Sequence, residues 1–144
     1  MSPTVAPGKI RLTSRYRFAA SHRLHSSQLS EEENRKLYDK CNNPHGHGHD
    51  YQIEVTVEGA PGDDGQIVNR MALDRLVRER VLEKLDHRDL NTEVPEFEGG
   101  VTTTENLAKA IRKMLLAGWT LPAELVRIQI SETARNTFAW DAGA

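Results

Sequence analysis

The chain has one cysteine, Cys41, in 144 residues. No intramolecular disulfide can therefore staple it, and the expectation is a reducing compartment. No apolar run approaches the ~18 residues of a membrane-spanning helix. Basic charge is not in excess either: 19 Lys and Arg stand against 21 Asp and Glu. That excludes a general nucleic-acid binder, which needs a basic surplus to displace counterions. Aromatic residues make up only 6% of the chain, and the mean hydropathy is −0.60. Such a thin core with much solvated surface gains burial from self-association. Residues 1–9 are polar and broken by proline and glycine, without the apolar stretch of a secretory signal. They read as a loose tail ahead of a single cytoplasmic domain over 10–144, in keeping with roughly 100–200 residues per domain.

What is present divides into clear segments. From Ile10 to Ala20 the residues Ile10, Leu12, Ser14, Tyr16 and Phe18 share one parity, and Arg11, Thr13, Arg15 and Arg17 the other, which predicts a strand. Residues 25–40 read as a solvated loop or short helix. Tyr51 to Gly59 alternates again, and the turn cluster 61–65 ends it. Leu73, Leu76, Val77 and Val81 form a helical stripe within a predicted helix from Met71 to Leu85. A second helix is predicted from Thr103 to Ala117. Thr102 and Glu105 have capping-box spacing before it, and Gly118 suits the position after its end. Leu125 to Ile130 and Thr137 to Trp140 complete a β-β-α-α-β-β order. That order predicts an α+β domain whose mostly antiparallel sheet carries two helices on one face. Its other face is left for partner subunits.

The six histidines lie at 22, 25, 45, 47, 49 and 87, so five of them fall between positions 22 and 49, together with Cys41. Side chains two apart on a strand share a face about 6.6 Å apart. His47 and His49 can thus meet at one ion if the strand bends or twists, and the glycine between them permits the bend. His22 closes the first strand, which can pair with the second. Three neutral imidazoles around Zn²⁺ leave a fourth position open, the catalytic pattern, whereas structural zinc sites draw on several cysteines. Neither His25 nor His45 is assigned to the metal. A cysteine among apolar residues is ordinarily inert packing. Cys41 instead has polar neighbours, which points to a reactive thiol beside a cation. The pair Asp86-His87 can orient an imidazole for proton transfer. Glu132, ending an apolar strand, offers two oxygens to a heterocycle with two N–H groups.

These residues together resemble a known family. Phe18-Ala-Ala-Ser-His22, Cys41-Asn-Asn-Pro-His-Gly-His47-Gly-His49-Asp-Tyr51, Leu85-Asp86-His87-Arg-Asp-Leu-Asn91, Thr103-Thr104-Glu105-Asn106-Leu107 and Ser131-Glu132-Thr133 recur in this order in the 6-pyruvoyl-tetrahydropterin synthase family. The resemblance covers about residues 10–140. It implies the tunnelling (T) fold, assembled as a homohexamer, a dimer of trimers. It implies zinc on His22, His47 and His49, and Cys41 as the proton-abstracting base. Asp86 and His87 would complete a triad from a neighbouring subunit. Glu132 would anchor the pterin, assisted by Thr104, and the substrate would be 7,8-dihydroneopterin triphosphate.

Two products remain open within the family. A pyruvoyl-type enzyme keeps the three-carbon side chain, whereas a 6-carboxy-tetrahydropterin synthase of the queuosine pathway cleaves it and releases acetaldehyde. The second type reads Cys-x3-His-x-His, which His45 and His47 would satisfy. The first has the longer spacing of His47 and His49, and Tyr51 two residues on favours it. A non-catalytic zinc-binding oligomer would need none of Cys41, Asp86-His87 or Glu132.

Overall fold

The computed structural model describes residue 5, residues 7–44 and residues 46–143. Much of the loose tail read from the sequence, positions 1–4 and 6, therefore lies outside the described residues, as does His45.

Two long strands form the spine. Strand β1 (Ile10–His22) pairs antiparallel with β2 (His47–Gly59) in an unbroken register from Ile10 opposite Gly59 to His22 opposite His47. Alternation decides the faces as the sequence predicts. Phe18, Ala20 and His22 on β1, and Tyr51, Ile53, Val55 and Val57 on β2, are buried. The opposite face carries polar cross-strand pairs. Thr13 and Thr56 hydroxyls lie 2.8 Å apart, and Arg15 Nε donates to Glu54 Oε1 at 2.6 Å.

Between β1 and β2 lies a short helix, α1 (Glu31–Tyr38). A full capping box starts it: Ser30 Oγ accepts from the Glu33 N–H at 3.1 Å, and Glu33 Oε1 accepts from the Ser30 N–H at 3.0 Å. The predicted helix over 71–85 is present in two α-helical parts, α2 (Arg70–Val77) and α3 (Glu83–Leu85), joined by a wider π-helical turn, Arg78–Leu82. Its fully buried residues Leu73, Val77, Val81 and Leu85 are spaced strictly by four. A step of four overshoots a 3.6-residue turn by about 40° each time; the wider turn absorbs that overshoot and keeps the stripe on the core.

After it comes a two-residue strand, β3 (Arg88–Asp89), parallel to β1, which the predicted order lacked. Helix α4 (Thr104–Ala117) follows. Its N-cap is Thr103, whose Oγ1 accepts from the Asn106 N–H at 3.2 Å. The capping box expected from Thr102 and Glu105 does not form, because Thr102 is buried and turned toward β1. Gly118 is the C-cap with φ −116°, not a left-handed residue. An added Cβ would meet only the flexible end of the exposed Arg80 side chain, so neither φ nor space demands glycine there. Strands β4 (Glu124–Thr133) and β5 (Asn136–Asp141) complete a five-stranded sheet in the order β3-β1-β2-β4-β5. One core joins Ile53, Val55, Ile128 and Ile130 of the sheet to Leu73, Val77, Leu107, Ile111 and Leu115 of the helices. The α+β fold with helices on one face is thus as expected; α1 falls in the segment read as a solvated loop or short helix, and β3 is added to the predicted order.

Candidate metal and active site

Strand register builds the site. His22 sits directly opposite His47, and Ala20 opposite His49, so all three imidazoles project from one face of adjacent strands. The rings converge on their Nε2 atoms. His22 Nε2 lies 3.2 Å from His47 Nε2, and His49 Nε2 lies 2.8 Å from His47 Nε2. Gly48 stays in regular pairing with Ser21, so the histidines meet without a break in the ladder at the glycine between them. The chain turns one step earlier, at Gly46, whose φ of +72° and close approach to the His22 carbonyl both call for glycine.

Cys41 joins the three histidines. The four ligand atoms, one from each of His22, Cys41, His47 and His49, all lie within 4.8 Å of one another. The Cys41 turn is clipped to the chain just beyond His22: Leu24 N–H donates to the Cys41 carbonyl at 2.6 Å, and Asn42 Nδ2 donates to the Leu24 carbonyl at 2.7 Å. Asn91 clamps the preceding residue, its Oδ1 accepting from the Arg23 N–H at 2.7 Å and its Nδ2 donating to the Arg23 carbonyl at 2.9 Å.

The donor set fits zinc. A carbonyl can only accept, so the 2.8 Å contact from His22 Nδ1 to the Thr102 carbonyl places a proton on Nδ1 and leaves the Nε2 lone pair free. Burial lowers the pKa of His22 and of His49, which favours the neutral, ligating imidazole; the Glu132 carboxylate opposes this at both rings, and at His22 the Thr102 carbonyl does so more strongly. Two nitrogens on a tetrahedral zinc ion, each at about 2.0–2.1 Å, stand roughly 3.3 Å apart. The 3.2 Å separation of His22 and His47 already matches that edge.

Glu132 stands beside the cluster. Its Oε1 lies 3.1 Å from His49 Nε2 and 3.7 Å from His22 Nε2, while Thr104 Oγ1 donates to its Oε2 at 3.1 Å. Thr104 is buried at the first position of α4, so the helix start aims the hydroxyl at the carboxylate. Burial, with Glu132 and then Asp39 adding to it, raises the Cys41 thiol above its usual pKa. Without a bound cation the thiol therefore stays protonated.

Asp86 and His87 are placed elsewhere. Asp86 Oδ1 accepts from the Ala19 N–H at 2.9 Å and lies 3.1 Å from His87 Nδ1. The His87 N–H donates to the Ala19 carbonyl at 2.6 Å, and its φ is +60°. A left-handed backbone at a non-glycine residue is strained. It holds a histidine side chain that is 81% exposed. The pair is not in the four-donor cluster, yet His87 and His49 line one cavity of about 370 Å³. His25 is also outside the cluster, its Nδ1 3.1 Å from Asn42 Nδ2. The Thr102 carbonyl and the two asparagine clamps were not found from the sequence. A backbone acceptor leaves no residue signature, although Asn91 ends one of the quoted motifs.

Comparisons with known proteins point to one family. A family model described as "6-pyruvoyl tetrahydropterin synthase" matches residues 11–142. A "6-pyruvoyl tetrahydrobiopterin synthase" of Dictyostelium discoideum is 45% identical over 126 residues, covering 87% of this chain and 90% of that protein. One from Homo sapiens is 42% identical over 127 residues, covering 85% and 84%. The solved structure of Caenorhabditis elegans 6-pyruvoyl tetrahydropterin synthase superposes with a TM-score of 0.88 at 33% identity, covering 94% of this chain and 96% of that one.

Proposed function

The chain belongs to the 6-pyruvoyl tetrahydropterin synthase family, and from that premise we propose that it is a zinc-dependent lyase acting on 7,8-dihydroneopterin triphosphate. Its product would be 6-pyruvoyl-tetrahydropterin, with triphosphate released. The observation that carries this reading is the convergence of three imidazole nitrogens and one thiol within 4.8 Å, with a carboxylate alongside.

His22, His47 and His49 would hold the zinc. When bound, the ion supplies a Lewis acid that makes the side-chain hydroxyl and adjacent C–H protons easier to remove. Cys41 takes the C–H proton of the hydroxyl-bearing carbon as thiolate. The electron pair left behind moves into the adjacent ring C=N bond, whose nitrogen takes up a proton as the hydroxyl carbon becomes a carbonyl. Loss of the next C–H proton then places charge on that carbonyl oxygen and expels triphosphate from the following carbon. The side chain is oxidised as the pterin ring is reduced, so the conversion balances internally. Glu132 accepts from the pyrimidine N–H groups with both oxygens, and Thr104 holds it in place. Asp86 and His87 exchange protons at the site of a neighbouring copy, which accounts for an exposed histidine held under backbone strain. The assembly is a homohexamer, a dimer of trimers, in the cytoplasm. Among the described residues no helix is long and apolar enough to cross a membrane.

The test is mass spectrometry of the product formed from 7,8-dihydroneopterin triphosphate. A three-carbon substituent retained on a tetrahydropterin supports the proposal. A one-carbon carboxylate with acetaldehyde would assign the carboxy-type reaction, and no turnover would leave a zinc-binding oligomer.

A further inference from the structure

We propose that the Tyr51 hydroxyl is a further catalytic group: once the substrate side chain carries a carbonyl, it donates a hydrogen bond to that oxygen, which gains charge as the neighbouring C–H proton leaves and triphosphate departs. The inference rests on the lyase reading and names a residue that reading does not use.

Tyr51 is two residues beyond His49, on the same face of β2. It is 1% exposed, and its hydroxyl oxygen is buried without a hydrogen-bond partner among the described residues. Other rings pack against it. It stacks on Phe18 with centroids 5.0 Å apart, and it meets the His49 and His22 rings edge-on at 5.6 and 6.5 Å. The contrast with Tyr16 of β1 is direct, since that hydroxyl donates to Asp74 Oδ1 at 2.7 Å.

A buried, unsatisfied hydroxyl is costly, and native proteins rarely keep one without a use. Its place beside two proposed metal ligands supplies the use. A donor fixed in a dry site before substrate arrives gains most from an oxygen whose charge grows during reaction, and needs no reorganisation to reach it. Tyr51 gives up no proton in this role. Cys41 carries the proton away, and the hydroxyl stabilises what remains.

The test is Tyr51→Phe in the zinc-loaded protein, with 7,8-dihydroneopterin triphosphate as substrate. The expected result is unchanged zinc content, a melting temperature equal to or above that of the wild type, little change in KM, and kcat lower by on the order of 100-fold. A higher melting temperature alongside lost turnover is the signature of a functional group kept at the expense of stability. Unchanged kcat, a rise in KM alone, or lost turnover accompanied by lost zinc or a lower melting temperature would overturn the assignment. Wild-type protein that releases no triphosphate would instead overturn the lyase reading, and the Tyr51 assignment with it. If the variant does not fold, carbon-13 labelling of the wild-type tyrosine ζ carbons replaces it. Binding of 7,8-dihydroneopterin should then shift the Tyr51 signal, and a fixed signal overturns the proposal.

Discussion

Single side chains in this site have separable duties, and substitution should separate them. Cys41→Ala is expected to keep zinc, because three imidazoles remain, while losing at least about 100-fold in turnover. Metal analysis beside a triphosphate-release assay checks both halves. His49→Ala should lose the metal itself. Glu132→Ala should chiefly raise KM, since the carboxylate binds ring N–H groups in ground and transition states alike. The buried histidines also set a pH dependence. Burial lowers the pKa of His22 and His49 below the ordinary value of about 6.5. The unfolded chain therefore takes up protons first as pH falls, and stability present above about pH 6.5 is lost as pH drops toward the folded pKa values. Thermal unfolding of chelator-treated protein between pH 8 and 5 should show that loss, and zinc, which holds the imidazoles deprotonated, should raise stability at pH 8 and steepen its fall as pH drops.

At the scale of elements, the site depends on a strand ladder and on the start of α4. Thr103→Ala removes the N-cap bond to Asn106 and is expected to cost about 1 kcal/mol, or roughly 2–4 °C in melting temperature for a chain of this size. Because the neighbouring Thr104 steadies Glu132, the same variant should weaken substrate binding more than proton abstraction. Elements with a long period were legible in the sequence. Alternation over β1 and β2 and the apolar stripe of α2 give both location and facing, while α4 is placed by the residues at its ends. Strand β3 was not legible, because two residues carry no periodicity and their pairing with Ala20 and Ser21 is non-local. Helix α1 lies within the segment read as a loop or short helix, and the Ser30–Glu33 capping box fixes its start. For the metal cluster, His-x-His spacing marked two of the candidate ligands, but their convergence with the third comes from His22 standing opposite His47. That is a matter of register, which local sequence does not encode.

At the scale of the whole molecule, the proposed active site spans copies of the chain. Cys41 lies with its own histidines, whereas Asp86-His87 is outside that cluster and presents an exposed imidazole. Two inactive variants, Cys41→Ala and His87→Ala, should therefore restore activity when co-assembled. Random mixing gives about a quarter of the sites a wild-type thiol from one copy and a wild-type histidine from its neighbour. Light scattering should report six chains per particle for each variant and for the mixture. Activity that stays at background in the mixed hexamer would place both groups in one chain.

Chelator-stripped protein, titrated with zinc while triphosphate release from 7,8-dihydroneopterin triphosphate is followed, probes the whole scheme at once. Release should be absent without metal, rise in proportion to added zinc and level off at one ion per chain. Release at full rate before any zinc is added, or none at saturation, would contradict a reaction built on three converging imidazoles.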